Sequence, residues 1–118
     1  MIKILDFTLL VAYCLLIYWL SDRPSLHTPQ WFAHQDKLHH AVAYFVMSLL
    51  AWRSLRHWVG HPIILAVLVV AFCSLYGLHD EWHQSFVKGR TSDIVDWIAD
   101  TTGAAMAIFL LYKLRILT

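Results

Sequence analysis

The chain has 118 residues, of which 59% are hydrophobic and only 14% charged, against about 25% charged in an ordinary soluble domain. A single small core cannot absorb so much apolar surface, so the bilayer is the expected solvent, in keeping with a mean hydropathy of +0.57. The net charge of +1 excludes an electrostatic case for a nucleic-acid partner.

The first apolar stretch is Ile4–Leu20. Lys3 and Phe7–Leu20 are arranged like the basic n-region and apolar h-region of a signal peptide. The stretch leads into "SDRPSLHTPQ" and not into a small-residue cleavage pattern, so an uncleaved first span is expected. Pro24 and Pro29 break the loop after it.

The second stretch, Leu38–Trp52, extends to about residue 55 and opens on "DKLHHAVAY". Asp36, His40 and Tyr44 fall at i, i+4 and i+8, one stripe of a helix. Lys37 lies one residue over, where its stem can snorkel. Gly60, His61 and Pro62 then mark a tight turn, with Pro62 in the first turn of a third helix.

That helix, Pro62–Leu78 and on to about residue 80, runs into "HDEWHQ". His79 and His83 are i, i+4, as are Asp80 and Gln84, while Glu81 and Gln84 are i, i+3. A zinc-hydrolase H-E-x-x-H motif needs Glu where Asp80 stands, and the shorter arm places a general base differently. The histidines therefore read as an interfacial pair. No metal site is assigned, and His79, His83, Asp80 and Glu81 are the candidates for one.

After Gly89 comes the fourth stretch, Ile94–Tyr112, with its start at about residue 93. Asp93, Asp96 and Asp100 recur at i, i+3 and i+7. Helix capping accounts for Asp93, and the dipole partly for Asp96. Neither accounts for Asp100, about 10 Å further along the axis, where a lipid-facing carboxylate costs at least about 2.5 kcal/mol. Ala99, Gly103 and Ala107 form an adjacent ladder of small residues that permits close helix contact. The ladder serves either within one chain or between copies in a homo-oligomer.

No stretch alternates with the period of a strand. The expectation is an all-α polytopic membrane protein, a four-transmembrane-helix bundle forming one domain over 1–118. Cys14 and Cys73 read as buried hydrophobes. Trp19, Trp31, Trp52 and Trp58 fall near span ends, where indoles favour the interface. Lys3, Arg53, Arg56, Lys113 and Arg115 share one side against Arg23, Lys37, Lys88 and Arg90 on the other; with Lys37 and Arg90 set aside as site residues, both termini are expected in the cytoplasm. Seven of the eight acids lie at the other, outer end. Asp6 is the exception, and ion or proton movement is disfavoured because the inner half lacks matching ionisable residues.

The block "DKLHHAVAY" resembles the D-K-x-x-H-x-x-x-Y block of the VanZ-like family of membrane proteins. "YGLHDEWHQSFVKGRTSDIVDWIADTTGA" resembles that family's second block, with D-E-x-x-Q, G-R and D-x-x-x-D/N elements. Asp100 stands where the family often has Asn, and Ala107 where a second Gly is usual. The resemblance implies a bacterial cytoplasmic-membrane protein, and the family's namesake is associated with resistance to teicoplanin-type lipoglycopeptides. Carried over by position, the family's polar set is Asp36, Lys37, His40, Tyr44, Asp80, Glu81, Gln84, Arg90, Asp93 and Asp96.

These side chains suit an anionic ligand in an outer-facing cleft. Arg90 offers a fork for phosphate or carboxylate, Lys37 a point charge, and His40 a proton relay. Asp80 with Glu81 suits a divalent cation bridging to phosphate, and Trp82, Phe86 and Trp97 an apolar tail. Three readings stay open. One is a binder of membrane lipid or of a lipid-linked envelope precursor. Another is an intramembrane hydrolase or transferase acting on a lipid-linked phosphate or ester, with His40, Asp80 and Glu81 the catalytic candidates. Ser85 and Ser92 lack visible activation, which argues against acyl-enzyme chemistry. The last is a structural cluster that only ties helices together.

Overall fold

The long apolar runs coil into helices because a backbone in hydrocarbon must satisfy its own polar groups. A computed structural model describes residues 2–22, 35–87 and 93–117, without the side chains of 35–36 and 115–117. It contains α1 (Ile2–Ser21), α2 (Gln35–Leu55), α3 (Pro62–Gln84) and α4 (Ile94–Leu117), and no strand among the described residues. The chain is an all-α membrane bundle. α1, α3 and the Ile94–Leu114 part of α4 are each long and apolar enough to cross a bilayer. α2 is long enough but opens on a polar stretch.

Every helix runs further than its apolar stretch. α2 begins at Gln35, α3 continues to Gln84 and α4 to Leu117. The polar extensions of α2 and α3 stay helical because their side chains find partners across the bundle. α3 starts as its sequence predicts, with Pro62 in the first turn. The His61 Nδ1 accepts from the amides of Ile63 and Ile64 at 3.2 and 3.4 Å.

α2 and α3 each touch all the other helices, whereas α1 and α4 lie apart. The α2–α4 pair is the most intimate. A Cβ on Gly103 would stand 2.0 Å from the Ala41 carbonyl oxygen, so only glycine admits this approach. Ser48 donates to the Ala104 carbonyl at 3.0 Å across the same seam. The small-residue ladder thus works, at Gly103, inside one chain.

Tyr44, Met47, Leu65, Val69, Cys73 and Ala104 fill the core. Polar ties join the remaining pairs. Tyr13 donates to the Ala43 carbonyl and Tyr76 to that of Cys14. The Trp97 indole donates to the Ser74 carbonyl at 2.9 Å. Such bonds average about 0.6 kcal/mol each in a membrane, so they set register more than they hold the bundle shut.

Polarity is inverted relative to a soluble protein. Ile4, Phe7, Leu15, Val67, Leu75 and Phe109 are exposed, while Asp6, Asp80, Glu81, Asp96 and Asp100 are buried. Hydrocarbon is the environment that makes this arrangement favourable. Trp19 and Trp58 point outward, the latter under the Lys3 ammonium at 4.9 Å. Trp52 corrects the interfacial expectation, because its indole is buried against the core. Trp31, Pro24, Pro29, Gly89 and Ser92 lie outside the described residues.

Candidate functional site

α2 and α4 begin where α1 and α3 end, so chain direction brings four polar helix termini together. Each contributes at helical spacing: Lys37, His40 and Tyr44 from α2; Asp80, Glu81 and Gln84 from α3; Asp93, Asp96 and Asp100 from α4. Ser21 arrives from the end of α1.

Lys37 Nζ bridges two carboxylates of α4, Asp93 at 2.9 Å and Asp96 at 2.8 Å. One helical turn deeper, His40 stands between Asp96 and the third carboxylate of that stripe, Asp100. Its Nδ1 is 2.8 Å from Asp100 Oδ1, and its Nε2 is 3.7 Å from Asp96 Oδ2. Asp100 is wholly buried. Its carboxylate fits because α3 presents Gly77 there, where an added Cβ would meet Asp100 Oδ2 at 2.9 Å.

α3 adds the third wall. Asp80 accepts from the Ser21 hydroxyl and more distantly from Tyr44, at 3.5 Å. Glu81 Oε2 accepts from the Asp93 amide at 2.9 Å, which fastens the start of α4 to the end of α3. Asp93 in turn caps α4, accepting from the Val95 amide at 2.9 Å. Gln84 is buried beside them.

Among the described residues five carboxylates (Asp80, Glu81, Asp93, Asp96 and Asp100) face one lysine and one histidine. Two buried oxygens, Glu81 Oε1 and Asp100 Oδ2, have no hydrogen-bond partner among the described residues. Buried carboxylate oxygens left this way are costly. Two overlapping groups place their ligand atoms within 4.8 Å of one another: His40 with Asp80 and Asp100, and His40 with Glu81 and Asp96. Nitrogen and carboxylate donors at that spacing suit a divalent cation.

The histidine of both groups comes from α2, not from the "HDEWH" segment. His79 is exposed, with its ring tilted against Tyr76 and Trp82. His83 stacks on Tyr18 at 4.6 Å and pairs with Asp22 at 3.2 Å. Neither belongs to a metal-capable group among the described residues. Of the expected tail path, Trp82 and Phe86 pack edge-to-face at 5.1 Å on the outside, while Trp97 is tied to Ser74. Arg90 and the Asp36 side chain lie outside the described residues.

A second polar cluster occupies the opposite end, and it corrects the expectation that the inner half lacks matching ionisable residues. Asp6 is buried, with His57 Nε2 at 2.7 Å and Arg53 at 3.2 Å. A lone Asp in the first turns of an apolar helix is the signal that the sequence carries. Its partners lie about fifty residues on, Arg53 in the last turn of α2 and His57 just past its end. The expected result of His57→Ala is a lower unfolding temperature in detergent. Arg53→Ala should change it less, since Arg53 is half exposed and solvent can replace it. Equal effects from both would show that the cluster is not a buried clamp.

No curated protein and no solved structure matches the chain significantly. A family model described as VanZ/LLP1 matches residues 16–117. That span takes in all of α2, α3 and α4 and every residue of the carboxylate cluster. By that match the chain belongs to the VanZ/LLP1 family.

Proposed function

We propose that the cluster is the centre of a divalent-cation-dependent membrane hydrolase acting on a lipid-linked phosphate, with a cell-envelope precursor in the outer leaflet as the substrate class. The observation that carries this reading is the pair of buried oxygens without hydrogen-bond partners among the described residues, Glu81 Oε1 and Asp100 Oδ2, at the two groups of possible cation ligands. A cluster serving only to tie helices has no use for them, since a buried ion pair stabilises only when its remaining lone pairs are satisfied. A cation between these carboxylates and a phosphate would supply the attraction that joins them.

Glu81 and Asp96, or Asp80 and Asp100, would hold that cation together with His40. The cation supplies positive charge for the phosphate oxygens and lowers the pKa of a bound water. His40, whose Nδ1 is held by Asp100 at 2.8 Å, would face the cation with its other nitrogen, and a carboxylate of the cluster outside the ligand set would receive the proton of the water. In the net reaction the water oxygen bonds to phosphorus, the bridging P–O bond breaks, and a proton passes to the leaving oxygen. Lys37 holds Asp93 and Asp96 in position. We place the protein in the bacterial cytoplasmic membrane, both termini inside and the cluster outside. Altered levels of the precursor would then link it to teicoplanin-type resistance.

Purified protein should unfold at a higher temperature with Mn²⁺ or Mg²⁺ than with EDTA. At a hundredfold excess over Kd the gain is about 2.7 kcal/mol. Release of inorganic phosphate from farnesyl phosphate should require the same cation. A shift without turnover would reduce the reading to a cation site without hydrolysis. Absence of both would leave the structural reading.

A further inference from the structure

Next to the cluster, α3 and the start of α4 frame a groove of about 660 Å³ open to the surroundings of the bundle, within the size range of about 300–1,000 Å³ typical of small-molecule sites. Leu75, Leu78 and Trp82 supply one wall at i, i+3 and i+7, a single stripe of α3. Ile94 supplies the other, and Glu81 is part of the lining. The groove is therefore mainly apolar, and it adjoins a buried carboxylate whose Oε1 has no partner among the described residues. Along the helix axis Leu75 lies about 9 Å from Glu81, toward the middle of the span.

We infer that this groove holds the hydrocarbon chain of a lipid phosphate whose headgroup reaches the Glu81 side of the cluster, so that the substrate enters sideways from the bilayer between α3 and α4. The inference rests on the hydrolase reading for the headgroup, but concerns a different surface. Its support is polarity. A lipid phosphate is anionic at one end and apolar for the rest of its length. The groove and cluster are cation-capable at one end and apolar for the rest. Leu75 is 67% exposed and Leu78 47%, so in a membrane both already meet hydrocarbon chains. A substrate chain replaces bilayer lipid there without uncovering apolar surface to water.

Leu75→Trp and Leu78→Trp, each made in the full chain, test this. Both side chains point outward, so the bulkier ring fills the groove without entering the core. The expected result is a rise in KM of about tenfold or more for farnesyl phosphate, with the hydrolysis of butyl phosphate unchanged. Equal loss on both substrates would mean that the variants damage the cluster, and no change on either would mean that the groove is unused; each overturns the inference. A second measurement decides the case even if the protein hydrolyses neither substrate. An alkyl phosphate carrying a diazirine on its chain should label residues 75–82 of α3, with Leu75→Trp suppressing the labelling. Label confined to other helices would overturn the inference and leave the hydrolase reading to its own test.

Discussion

Replacing Glu81 by Gln should lower kcat for a lipid phosphate by about 10²–10⁴-fold, the range for loss of a positioned proton-transfer or charge-bearing group, while the unfolding temperature in EDTA holds or rises. The two carboxylate oxygens have different jobs. Oε2 accepts the Asp93 amide at 2.9 Å, and the carbonyl of a glutamine can do the same. Oε1 has no partner among the described residues, and only there does the substitution change chemistry. The variant therefore keeps the α3–α4 fastening and removes one ionisable carboxylate from the cluster. If the cluster were structural, fewer like charges would leave the protein as stable or more so, with no phenotype. Unchanged turnover in Glu81→Gln would thus defeat the hydrolase reading directly. The cation-induced rise in unfolding temperature should also shrink in this variant, a readout independent of any substrate.

Gly103→Val is expected to prevent assembly of the bundle. Even the Cβ of alanine would sit 2.0 Å from the Ala41 oxygen and 2.7 Å from its carbonyl carbon, both backbone atoms that no rotamer change can move. α2 and α4 would have to separate by more than an ångström. That separation would break the Ser48–Ala104 bond and pull His40 from Asp100. Overpacking of a core costs about 1–3 kcal/mol and occasionally more; a backbone obstacle on the closest seam belongs at the upper end. The measurement is yield and unfolding temperature in detergent, with Gly60→Ala as the control, since nothing lies within 4 Å of its added Cβ. A Gly103→Val protein as stable as the parent would refute the α2–α4 seam.

Much of the architecture is written in local pattern. Apolar run length gives the helices, and Pro62 after His61 gives the α3 start. The stripes Asp93–Asp96–Asp100 and His40–Tyr44 show which faces turn inward, because hydrocarbon tolerates a carboxylate nowhere else. What local pattern does not contain is which helix lies beside which. His40 meets Asp100 only because α2 and α4 are neighbours, and the one hint of that is the small-residue ladder flanking the acids. The same gap hides the Asp6–His57–Arg53 cluster, whose members belong to different spans. The "HDEWH" spacing draws attention to its histidines, yet His83 is taken by Tyr18 and Asp22 from the α1 end of the chain, a contact that no spacing within α3 encodes.

The Lys37 clamp on Asp93 and Asp96 bears on biogenesis. The chain is synthesised from its amino end, so Lys37 and His40 emerge more than fifty residues ahead of the counter-charges that neutralise them. At about 5–20 residues per second, that is an interval of some seconds. During it α2, the helix that falls short of spanning composition, lacks the partner that makes its burial favourable. The Lys37 clamp therefore forms only once α4 has been made, and pairing with α4 completes the burial of the polar start of α2.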